Sequence, residues 1–197
     1  MKHLFLLICV LSLLVSCNST PKKTVQETAM QPVSLILDTD LGPDYDDVGA
    51  MAVMHALADS GYVDILATLS SNHDESVVPC IEVLNTYFNR PSIPVGAPRS
   101  EGGVTMTSGH KIKWTEVLPD KYPHKTKKTS DAPDAVQVYR KVLSAQPDKS
   151  VVICTIGFFI NLIVGIIGGV LGGWLFSLVG LHSTGGIIGS LIVSTFG

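Results

Sequence analysis

The stretch VSLILDTDLGPDYDD, residues 33–47, decides how the chain is read. Val33 to Leu37 is a short, β-branched apolar run that ends in acidic residues, and Asp47 to Ala58 carries apolar residues at helical spacing after a turn containing Pro43. A strand, a loop and a helix are therefore predicted. Working outward, Val63 to Leu69 reads as a second strand and Ser76 to Phe88 as a helix with Pro79 in its first turn. Ile93 to Val95 reads as a short strand, Asp134 to Ser144 as a helix and Val151 to Cys154 as a strand. Strands alternating with helices predict an α/β domain built on a parallel sheet. Residues 99–130, rich in Gly, Pro, Lys and Thr, read as a long surface excursion, and a loop of that length inside a compact domain is often functional.

In such sheets ligands bind beyond the carboxyl ends of the strands. Asp38, Asp40, Asp44, Asp46 and Asp47 gather at that end of the first strand, where their mutual repulsion needs a cation or hydrogen bonds to offset it. A hard divalent cation answers that need, and calcium, with six to eight oxygen ligands in flexible geometry, suits a Gly-containing turn better than magnesium. The spacing does not match the EF-hand loop. The simpler alternative is a solvated acidic loop in which Asp46 or Asp47 caps the following helix.

DTDLGPDYDD resembles the aspartate signature of the inosine-uridine preferring nucleoside hydrolases in its longer form. Asn72 of LSSNHD, the stretch DAVQVYRKVLSAQPDKSVVI and TIGFFINL add to that resemblance, which covers about residues 33–162. It implies a parallel-sheet nucleoside hydrolase-like domain, a bound calcium ion and hydrolysis of the N-glycosidic bond of ribonucleosides. By the same resemblance, Asp40 ligates the calcium and serves as general base, Asp47 is a second ligand, and the main-chain carbonyl of Ile156 a third. Asp46 and Asn72 hydrogen-bond the ribose hydroxyls, Asp38 supports the turn from behind, and Asp44 receives no role. The family's late His-Asp pair has no counterpart here, since His182 is followed by Ser183, so turnover is expected to be impaired.

The ends of the chain are a different material. Met1-Lys2-His3 followed by the apolar run Leu4 to Val15 reads as a signal peptide, too short for a ~20-residue membrane-spanning helix. Leu14-Val15-Ser16-Cys17 resembles the bacterial lipobox, which implies lipidation at Cys17 and residence in the cell envelope. Residues 18–32 have linker composition. The chain is 46% hydrophobic and 16% charged, against the ~25% charged of an ordinary soluble domain, and every charged residue lies at or before Lys149. Ile160 to Leu181 is long enough to cross a bilayer, with Gly165, Gly169 and Gly173 at a spacing that permits close helix packing.

Residues 161–197 resemble the transglycosylase-associated family of small membrane proteins. This gives the organisation as 1–17 signal and lipobox, 18–32 linker, 33–160 incomplete hydrolase-like domain and 161–197 Gly-rich membrane segment. Two alternatives follow: a small integral membrane protein with a non-catalytic passenger, and a calcium- or ribose-binding module without catalysis. A net charge of −3 gives no electrostatic basis for nucleic-acid binding. Cys80 and Cys154, both in apolar contexts, are expected to be buried free thiols.

Overall fold

The computed structural model describes residues 31–99 and 104–178. Within them the chain runs β1 (Val33–Thr39), α1 (Asp46–Asp59), β2 (Val63–Ser70), α2 (Val77–Tyr87), β3 (Val95–Gly96), α3 (Trp114–Lys121), α4 (Ala135–Ser144), β4 (Val151–Thr155) and α5 (Ile160–Leu178). The four strands form one sheet in the order β3-β2-β1-β4, with every pairing parallel. Thr39 stands beside Ser70 and Asp38 beside Thr155, so the carboxyl ends of β1, β2 and β4 finish level with one another.

Alternation along β1 sorts the two faces of the sheet. Leu37 packs with Met51 and Met54 of α1 and with Val77, Cys80 and Ile81 of α2, while Trp114 and Leu118 of α3 close that side. Ile36 points the other way, toward Ala135, Val138 and Tyr139 of α4 and toward Leu162 of α5. Helices α1, α2 and α3 thus cover one face, and α4 and α5 cover the other. The chain reverses direction across the sheet between β1 and β4, and sheets of this kind bind ligands at the strand ends beside such a reversal.

The predicted strands and helices of residues 33–96 and 134–155 are present, with three differences in detail. Ile93 lies outside the third strand, which is only Val95–Gly96. Neither Asp46 nor Asp47 caps α1, because Tyr45 is the cap residue, without a side-chain bond, and the two carboxylates sit in the first helical turn. The excursion over 99–130 contains α3, with Pro119 inside it. Pro and mixed charge hide that helix from a periodicity reading, and tertiary contacts hold it instead. Trp114 donates its indole N–H to the Gly42 carbonyl at 3.1 Å, and the Ser76 hydroxyl reaches Thr115 Oγ1 at 2.8 Å.

The apolar segment from Ile160 is helical, but it does not start as a free membrane span. Asn161 is buried and bonded into the sheet, and Leu162 packs against the core beside α4. Among the described residues no helix is long and apolar enough to cross a membrane. The signal, the lipobox with Cys17, and the run 186–196 lie outside the described residues. Cys80 and Cys154 are free thiols: Cys80 is buried, its pKa pushed up to about 12 by burial, whereas Cys154 is only partly buried.

Candidate metal and substrate site

Three strand ends meet at this reversal. Ser71 N–H donates to the Thr39 carbonyl at 2.8 Å and Ile156 N–H to the Asp38 carbonyl at 2.9 Å, so β2 and β4 remain fastened to β1 beyond the last paired residues. Gly157 then passes so close to Asp40 that a Cβ there would stand 2.6 Å from Ser71 Oγ and 2.8 Å from Asp40 Cβ. Only glycine permits that approach, which seats the Ile156–Gly157 segment against the acidic loop. Phe158 N–H completes the junction by donating to Ser71 Oγ at 3.0 Å.

The five aspartates separate into distinct environments. Asp38 is buried at the sheet, where Oδ2 accepts the Tyr139 hydroxyl at 2.9 Å and the carboxylate accepts Asn161 Nδ2 at 3.1 and 3.3 Å. Burial raises its pKa to about 6 in spite of those donors. Asp47 is also buried and accepts the Thr39 hydroxyl at 2.5 Å. Burial first, and then the negative charges of Asp40, Asp46 and Asp44, raise it to about 6 as well. Asp40 is half-buried, and burial followed by the charge of Asp46 moves its pKa upward. Asp44 and Asp46 lie on the exposed side and share a hydrogen bond, which raises the former and lowers the latter.

Carboxylate oxygens of Asp44, Asp46 and Asp47 all lie within 4.8 Å of one another. This donor set suits a divalent cation, being all oxygen, with one buried member whose second oxygen is not taken by Thr39. The trio shares Asp47 with the expected ligands. Asp44, which has no role by the resemblance, belongs to it, and Asp40 stands outside it. Periodicity does not foretell that trio, since Asp44 lies in the turn before the helix and residues one or two apart do not share a helical face.

Asn72 is fully buried, and its amide is committed to the protein. Nδ2 donates to the Asp40 carbonyl at 3.0 Å and to the Met106 carbonyl at 2.7 Å, while Oδ1 accepts from Asp74 N–H at 3.0 Å and Met106 N–H at 3.1 Å. Asn72 therefore ties the acidic loop to residues 104–106. Lys113 makes a 2.9 Å ion pair with Asp74; against the opposing effect of burial, the Ser76 bonds and then this pair lower the pKa of that carboxylate. Tyr139 and Lys113 are not singled out by the sequence, and Asn161 enters only within TIGFFINL and without a role, because each acts through a contact with a residue distant in the chain.

No family model and no curated protein matches the chain. Among solved structures, it is similar to a plant nucleoside hydrolase over 69% of this chain and 43% of that one, at 23% sequence identity and a TM-score of 0.48. The chain thus spans less than half the length of that protein.

Proposed function

We propose that this protein is a divalent-cation-dependent hydrolase acting on the N-glycosidic bond of ribonucleosides. One observation carries the reading: Asp44, Asp46 and Asp47 gather their carboxylates at the carboxyl end of β1, beside Asp40 and next to the point where the sheet order reverses. The DTDLGPDYDD and TIGFFINL resemblance supplies the reaction class, and calcium is the ion it implies. Asp44, Asp46 and Asp47 would hold the cation, with Asp40 and the Ile156 carbonyl at its margin. A bound cation of this kind lowers the pKa of coordinated water.

The chain's own groups then have separable tasks. Asp40, half-buried beside the trio with its pKa moved upward by burial and by Asp46, is placed to accept a proton from water at the cation. Asp46, exposed at the mouth, can accept hydrogen bonds from ribose hydroxyls. Asn72 contributes by fixing the Asp40 carbonyl and Met106, and direct contact with ribose requires Met106 to release it. Lipidation at Cys17 and residence in the bacterial envelope belong to the same proposal, supported by the apolar run before that cysteine. A Cys17→Ala variant that stays in the membrane fraction would count against the anchor.

The central test is calorimetric titration of the full chain with calcium, followed by assay of base release from inosine and uridine. The reading expects saturable calcium binding, calcium-dependent release of base, and loss of release without loss of binding in Asp40→Asn. Calcium binding without base release from any nucleoside would reduce the protein to a binding module. No calcium binding would overturn the proposal.

A further inference from the structure

On the opposite side of the sheet from α1, a cleft of about 330 Å³ lies between α4 and α5, within the range of small-ligand sites. Val136 and Val164 give it apolar walls, and Arg99, Gln137 and Arg140 give it donors. The two guanidinium groups are not equivalent. Arg99 is offset by Asp134 at 3.6 Å, a carboxylate that also caps α4 by accepting from Val136 N–H at 3.0 Å. Arg140 is half-buried and makes no salt bridge among the described residues.

Two features hold Arg140 in this position. A Cβ on Gly168 would stand 3.3 Å from its Nη2, so the missing side chain on α5 leaves the space the guanidinium uses. The helix it lies against has no carboxylate to offer, since the chain carries none after residue 149. A half-buried guanidinium beside an apolar helix, with no carboxylate paired to it among the described residues, has donors to offer an anion entering the cleft. The planar fork of arginine matches the paired oxygens of a phosphate or carboxylate group.

We propose that this cleft binds an oxyanion of the phosphate type, with Arg140 as its principal partner and Arg99 as the second. The anion enters between the two guanidinium groups, Gln137 adds a neutral donor, and the valine walls accept the apolar body of the molecule that carries it. None of these residues belongs to the acidic site, so the inference stands apart from the nucleoside reading.

The test titrates inorganic phosphate into the full chain at constant ionic strength, with chloride as the control, and in parallel measures co-sedimentation with vesicles containing phosphatidylglycerol. Saturable phosphate binding is expected, weakened roughly tenfold or more in Arg140→Gln and less in Arg99→Gln. Arg140→Lys, which keeps the charge and loses the fork, is expected to fall between wild type and Arg140→Gln while unfolding at the wild-type urea concentration. Binding by free phosphate identifies a soluble ligand. Binding only to anionic vesicles, lost in Arg140→Gln, identifies a lipid headgroup as the source. Binding to neither, or equal binding by wild type and Arg140→Gln, overturns the proposal.

Discussion

Tyr139, in the second turn of α4, donates its hydroxyl to Asp38 across 2.9 Å, although the two residues are 101 positions apart. Burial and the neighbouring Asp38 charge raise the Tyr139 pKa, so the phenol stays a donor throughout the physiological range. Asn161, at the start of α5, donates to the same carboxylate and also to the Ser70 carbonyl at 2.8 Å. One buried acid thus joins β1, β2, α4 and α5. Tyr139→Phe keeps the ring and removes the donor, leaving Asp38 short of one partner. We expect urea unfolding to show a loss of about 1–3 kcal/mol. An unchanged midpoint would mean that Asn161 alone satisfies Asp38.

Gly157→Ala should be among the more damaging small substitutions in the chain. Its new methyl group meets the backbone and Cβ of Asp40 as well as Ser71 Oγ, and the Asp40 atoms cannot swing aside. Overpacking of this kind costs about 1–3 kcal/mol. Because the strain falls on Asp40, calcium affinity should drop along with thermal stability. A variant that unfolds earlier yet binds calcium normally would separate the β4 end from the site.

The proposed cation site can be probed through a residue outside its carboxylates. Thr39 donates to Asp47 and also accepts Leu41 N–H at 3.1 Å, so it sets both the carboxylate and the turn after β1. Thr39→Val should weaken calcium binding by roughly 10- to 100-fold, as loss of a partner to a metal ligand does elsewhere. Asp47→Asn should abolish it. Calorimetry on both variants checks the order, and equal affinities would remove Asp47 from the ligand set.

A separate pH response is expected from α1. His55 is fully buried, stacks on Phe88 with ring centroids 4.5 Å apart, and places Nε2 3.1 Å from Asn85 Oδ1. Its Nδ1 lies 3.5 Å from Arg90 Nη1, which requires the neutral ring with its proton on Nε2. Burial and the Arg90 charge lower its pKa against the opposing effects of Asn85 and Asp59. A histidine whose folded pKa is depressed contributes stability above its unfolded value of 6.5, and that stability is lost as pH falls through the folded value. Asp38 and Asp47, with carboxyls raised to about 6, add stability as pH falls through the same range, so the His55 contribution is read as a difference: between pH 7 and pH 5 the urea midpoint should decline more in wild type than in His55→Gln. An equally steep decline in the variant would assign it to other groups.

Much of the architecture could be read along the chain because it rests on local pattern. Val33 to Leu37 and Val63 to Leu69 are β-branched runs of strand length, and the residues between them repeat at helical spacing. The acidic turn was legible for the same reason, since five aspartates within ten residues form a charge problem that no fold can remove. Helix α3 was not legible, because Trp114 and Thr115 are fixed by Gly42 and Ser76 rather than by their neighbours in sequence.

The sequence by itself determined the parallel α/β plan and the place where negative charge accumulates, both consequences of side-chain periodicity and ionisation that need no distant partner. Only the tertiary structure decided which carboxylates share a site. It buries Asp38 under Tyr139 and Asn161, spends the Asn72 amide on Met106 and Asp40, and brings Gly157 against Asp40. Those outcomes depend on elements meeting across the sheet, where burial raises the cost of an unpaired polar group and so selects the partner that ends beside it.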